Sequence, residues 1–119
     1  MVRKLDDLTL LGQRARQFLV HSFLYYRLNE TVVPDEDFDR ITAELRQLRQ
    51  KHPKAVMPFA ELLDPALGAE GSGFQIRQYP PSIVTTAFKL LYAHQSPGTD
   101  FREFVERKGY RVEEAENAD

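Results

Sequence analysis

Apolar residues at Leu5, Leu8, Leu11, Ala15, Phe18 and Leu19, and then Tyr25 or Tyr26, recur at steps of three and four, the period of one helix face. This spacing predicts a long amphipathic helix over residues 4–28. A break follows, because Asn29-Glu30-Thr31-Val32-Val33-Pro34 holds two β-branched valines and a proline that pushes the residue before it out of helical angles. Phe38, Ile41, Leu45 and Leu48 then restart the helical spacing behind the acidic run Asp35-Glu36-Asp37, which suits the positive end of a helix dipole. A second helix is predicted over residues 35–51, ending before Pro53.

Between His52 and Pro81 the pattern fails. Pro53, Pro58, Pro65 and Pro80, with the cluster Gly71-Ser72-Gly73, interrupt it, leaving at most one helical turn at residues 60–63 and predicting a mobile loop over 54–80. Phe74 and Ile76 alternate with polar neighbours, but a lone strand has nothing to pair with, so they are assigned to the loop. Ile83, Val84, Ala87, Phe88 and Leu91 resume helical spacing behind Pro80, Pro81 and the capping Ser82, predicting a third helix to residue 94. Beyond the turn Ser96-Pro97-Gly98, Thr99 or Asp100 caps a short fourth helix with Phe101, Phe104, Val105 and Lys108 on one side. Gly109 supplies its left-handed stop.

The predicted fold is therefore all-α, a helical hairpin of two longer helices plus two shorter C-terminal helices. It forms a single domain over residues 1–111, with the hairpin at 4–53, the loop at 54–80 and the C-terminal helices at 81–109. Residues 112–119, with four acids and little to bury, are expected to be a disordered acidic tail.

A chain of 119 residues has room for one modest core. Its net charge of −2 gives no general attraction to nucleic acid or anionic membrane, so any such binding needs a local patch. The absence of cysteine excludes disulfides, thiolate zinc sites, iron–sulfur clusters and a cysteine nucleophile. Charges within the first seven residues break the apolar run a signal peptide needs, and no segment approaches the roughly 18 apolar residues of a spanning helix. The expectation is a cytoplasmic protein off the membrane. His21, His52 and His94 lie far apart, with no pair at the i, i+4 spacing of a helical metal site, so no metal is expected. Ser22, Ser72 and Ser96 have no triad-like surroundings, and Gly71-Ser72-Gly73 lacks the lysine of a phosphate-cradling loop and reads as a flexible turn. No catalytic residue is assigned, and the chain is not expected to be an enzyme.

The informative stretch runs from Phe23 to Pro53. Tyr25-Tyr26 end one helix, a short linker closes with Pro34, Asp35-x-x-Phe38-Asp39 opens the next helix, Glu44-Leu45-x-x-Leu48 continues it, and His52-Pro53 ends it. In order and spacing this resembles, over about residues 17–53, the N-terminal helical subdomain of NAD-dependent bacterial DNA ligases. There the subdomain closes over the nicotinamide mononucleotide (NMN) half of NAD. The resemblance implies a cofactor-binding set of Tyr25, Tyr26, Asp35, Phe38 and Asp39. Tyr26 stands where the family has histidine and Phe38 where it has tyrosine. Each lost hydrogen bond is worth on the order of 1 kcal/mol, so weak binding of NAD or NMN is expected, with no cofactor required. The ligase nucleophile motif Lys-x-Asp-Gly has no counterpart in this sequence, so the resemblance implies a non-catalytic, stand-alone ligase-like module of the kind phage genomes encode, with a protein partner in DNA replication or repair.

Read from the residues alone, an aromatic pair beside two carboxylates at a helix–helix corner suits a flat cationic ring, but the same residues also serve to staple the hairpin and cap the second helix. Two further readings compete. Arg40, Arg46, Arg49, Lys51 and Lys54 line the second helix and its exit, a face that could make weak nucleic-acid or partner contacts or be a solvated surface. Tyr79, Phe88, Tyr92, Phe101, Phe104 and Tyr110 exceed what a small core readily buries, which favours a homodimer or a partner groove.

Overall fold

The computed structural model describes residues 1–68 and 71–113. Its described residues form five α-helices and one 3₁₀ turn: α1 (Asp7–Arg27), α2 (Asp35–Lys51), α3 (Ala60–Leu67), the turn (Gly73–Gln75), α4 (Pro81–Gln95) and α5 (Phe101–Arg107). The all-α prediction holds.

Helix α1 starts where Asp6 accepts a hydrogen bond from the Thr9 amide at 2.8 Å, which holds the Asp6 carboxyl below its ordinary pKa. It is the central element, packed against α2, α4 and the 3₁₀ turn. Its C-terminal half is consequently buried on several sides, through Phe18, Leu19, Val20, Ser22, Phe23 and Leu24. One amphipathic stripe does not describe it. Leu5 and Leu8, placed on that stripe by periodicity, are 44% and 57% exposed, because the packing partners gather around the other end.

Helix α2 has the expected bounds. Pro34 is its N-cap and offers no side-chain acceptor, so Asp35, Glu36 and Asp37 in the first turn supply the electrostatic compensation. It runs antiparallel to α1: Asp7 accepts from His52 Nε2 at 2.9 Å and Lys51 Nζ at 3.0 Å, and mid-helix Arg14 meets Glu44 at 2.6 Å. The His52 hydrogen bond, then that of Lys51, hold the Asp7 carboxyl below its usual range.

The expected loop at 54–80 is the main correction. Residues 60–67 form a full eight-residue helix despite Pro65. The carbonyl that Pro65 cannot serve belongs to Glu61, and both residues are exposed, so water can satisfy it. Meanwhile Leu63, Ala66 and Leu67 bury one face. Two arginines of α2 hold this helix: Arg49 makes a two-pronged ion pair with Asp64 at 3.0 and 3.0 Å, and Arg46 Nε donates to the Leu67 carbonyl at 3.0 Å. The Gly71-Ser72-Gly73 cluster, expected as a flexible turn, leads into a hydrogen-bonded one. Ser72 Oγ accepts from the Phe74 amide at 3.2 Å, and the Ser72 amide donates to Gln75 Oε1 at 3.1 Å.

Helix α4 begins at residue 81, with Pro80 rather than Ser82 at the cap and Pro81 in the first turn. At fifteen residues it approaches the length of α2. Its Phe88 meets Phe23, Phe104 and Tyr110, so most of the aromatic surplus is spent inside this chain. Asp100 caps α5 through the Glu103 amide at 2.8 Å, and Gly109, at φ +87°, is the predicted left-handed stop. The tail expected at 112–119 lies, from residue 114 onward, outside the described residues.

Candidate functional site

The corner between α1 and α2 is set by Asn29. At φ +56° it adopts the left-handed conformation that asparagine tolerates after a helix end, and the Glu30 amide folds back onto the Leu24 carbonyl at 2.9 Å. The sequence does carry a signal for this stop, an asparagine one residue past the helical pattern. The linker is also pinned from outside: Glu30 accepts from Lys108 at 3.2 Å and from Gln95 at 3.1 Å.

The five residues implied by the resemblance come close together but divide over two openings, with Phe38 lining both. Tyr25, Asp35 and Phe38 share a cleft with His21, Glu30 and the linker, and its enclosed space is only about 10 Å³, room for about one water. Burial pushes the His21 imidazole below its ordinary pKa, toward the neutral form. On the other side Tyr26, Phe38 and Asp39 line a cavity of about 180 Å³ with Phe18, Thr42, Arg46, Ala66 and residues 71–73. Tyr25 and Tyr26 meet edge to face at 4.8 Å, and Phe38 stacks on Phe18 at 5.8 Å. Tyr25 is 44% exposed. Asp35 and Asp39 are both exposed, and neither has a polar partner among the described residues.

The family's N-terminal domain is the one this hairpin matches. Residues 9–59 fit the family model of the DNA ligase-like, N-terminal NAD+-binding domain. The DNA ligase of Cellvibrio japonicus (strain Ueda107) is 35% identical over 54 residues, covering 44% of this chain and 8% of that ligase. No solved structure matches. The ligase-like region thus extends beyond the expected 17–53 at both ends, taking in more of α1 and the exit from α2. It leaves α3, α4 and α5 outside.

The basic residues of α2 are engaged within the chain. Arg40 pairs with Asp37 at 2.9 Å, Lys51 with Asp7, and Arg49 with Asp64, while Arg46 serves the end of α3. Lys54 is exposed without a polar partner among the described residues. Among the described residues no group of three or more His, Asp or Glu could hold a metal ion, and no helix is long and apolar enough to cross a membrane.

Proposed function

We propose that this chain is a non-catalytic nicotinamide-nucleotide-binding module, which takes the NMN half of the cofactor on the Tyr26 and Asp39 side of the hairpin. The observation that carries this reading is the division of the corner. Tyr26, Phe38 and Asp39 line a cavity of about 180 Å³, whereas the Tyr25 and Asp35 cleft is nearly filled. A pyridinium ring against Tyr26 gains from the negative face of the phenol, and the unpaired Asp39 carboxylate offsets its charge. Tyr25 then acts by holding Tyr26, and Asp35 by adding negative field from one helical turn away. The partial openness of the site fits weak binding that improves when a partner protein covers it, and a partner in DNA metabolism is the class that the ligase likeness supports.

The test is a titration of isotopically labelled protein with NMN, with AMP as control. Saturable amide shifts at Tyr26, Phe38 and Asp39, specific for NMN, are expected. Asp39→Asn should weaken binding about tenfold, the loss of one charged contact, with stability unchanged to within about 0.5 kcal/mol as for other exposed positions. Absence of shifts at millimolar NMN would leave the hairpin as a scaffold. Nucleic acid is then examined by the salt dependence of affinity, which falls steeply if phosphates are neutralised.

A further inference from the structure

Arg46 does more than end α3. Its Nε donates to the Leu67 carbonyl, which fixes the plane of the guanidinium, while its two terminal nitrogens have no partner among the described residues and the side chain lines the 180 Å³ cavity. Asp39 lines the same cavity from two helical turns away, about 10 Å along the axis at 1.5 Å per residue, and the two do not pair. The cavity therefore has a cationic end and an anionic end, with Thr42 between them.

The 71–73 segment forms one wall of the same cavity. Ser72 Oγ accepts from the Phe74 amide and keeps its own proton free to donate. Gly73 is buried against α1: a Cβ there would lie 2.4 Å from Ser22 Oγ and 3.0 Å from the Tyr26 ring. Its carbonyl is held by the Tyr79 hydroxyl at 3.2 Å. Tyr79 has its pKa raised to about 12 by burial, so it remains a donor at neutral pH. Arg27 completes the strap by donating to the carbonyls of Phe74 and Ile76. Ser72, Arg46 and a glycine-lined backbone thus line one small cavity, with Gly73 on its Tyr26 side.

We propose that the Arg46 side of this cavity is a phosphomonoester subsite, in which Arg46 and Ser72 hold the phosphate. The arrangement rests on the nucleotide reading for its second half: with the phosphate at Arg46, the ribose hydroxyls and ring of a mononucleotide extend toward Asp39 and Tyr26. Planar guanidinium nitrogens meet phosphate oxygens with good directionality, and the Asp39 carboxylate lies far enough away to bind the other end without repelling the anion strongly. The subsite depends on residues 71–73, which lie outside the ligase-like match.

The experiment uses the full labelled chain in two arms at low salt. Inorganic phosphate should shift the Ser72 and Gly73 amides and the Arg46 Nε–H saturably, with no response to chloride at equal ionic strength; no phosphate-specific shift there overturns the subsite. In the second arm NMN should bind at least about tenfold more tightly than nicotinamide riboside, and Arg46→Gln should abolish that preference. Equal affinities of the wild-type chain for the two would overturn the assignment of the phosphate end. A phosphate response with no binding of either nicotinamide compound would support the subsite and remove the nucleotide reading. Should Arg46→Gln fail to fold, both wild-type arms still decide.

Discussion

The hairpin helix that carries the acidic corner and the C-terminal helices are stabilised by different means. Helix α2 contributes one fully buried side chain, Leu45, with Phe38, Ile41 and Leu48 half-buried against the core, and adds ion pairs to α1: Arg14 with Glu44, and Asp7 with Lys51 and His52. Helices α4 and α5 instead bury Ile83, Ala87, Phe88, Leu91, Phe104 and Val105 around edge-to-face rings. The lightly buried element is the one that brings unpaired carboxylates, Asp35 and Asp39, to the corner beside the aromatic residues. Packing and ligand contact draw on the same side chains, so the face left for a ligand is the one the core does not use.

Mutation separates the two regimes most sharply at their best-buried residues. Phe88→Ala removes a ring packed on Phe23, Phe104 and Tyr110 and should cost about 3–5 kcal/mol, against about 2–4 for Leu45→Ala. Chemical denaturation at constant slope checks this, and a larger loss at Leu45 would reverse the comparison.

The hairpin alone should show an acid limb. Burial of His21 lowers its folded pKa below the ordinary 6.5. Its contribution is thus complete above pH 6.5 and lost as pH falls through the lower folded value, since the unfolded chain takes up the proton more readily. Tyr25, Glu30 and Asp35 share its cleft. His21→Gln should flatten stability against pH just below 6.5. Asp6 and Asp7, with their pKa values lowered from 3.8 by the Thr9 hydrogen bond and by His52 and Lys51, lose their contributions only further into acid, and Asp7→Asn should reduce that second step. Thermal melts across pH 3–8 read both.

The smallest effect belongs to Ser22, whose hydroxyl is buried and has no hydrogen-bond partner among the described residues. Ser22→Ala removes an unsatisfied group and should raise stability by up to about 1 kcal/mol; a destabilisation would mean the hydroxyl is satisfied in solution.

Much of this was legible beforehand where proline and charge punctuate the chain. Pro34 and Pro53 bracket α2, whose bounds match the expectation. Asp100 and Gly109 likewise frame α5. Helix α3 was not legible, because Pro65 argues against a helix and only the burial of Leu63, Ala66 and Leu67 overrides it. With α3 illegible, the contacts of Arg46 and Arg49 to that neighbouring helix are illegible too, and the α2 sequence shows only their charge. The corner residues were found together through the spacing of Tyr25, Tyr26, Asp35, Phe38 and Asp39. Their division over two openings was not, since it depends on residues 71–73 reaching across from a distant part of the chain.

Phe23 meets Tyr79, Phe88 and Tyr110 at 5.3, 5.8 and 5.6 Å, three rings drawn from points increasingly distant along the chain. The α1–α2 turn closes a short loop, whereas the contact with Tyr110 closes a very long one, and the entropy of closure grows with loop length. Assembly accordingly has a natural sequence in time: the hairpin can zip locally, and the later helices gather on a Phe23 already in place. Phe23 is then the point at which the ligase-like segment becomes a template for the rest of the chain.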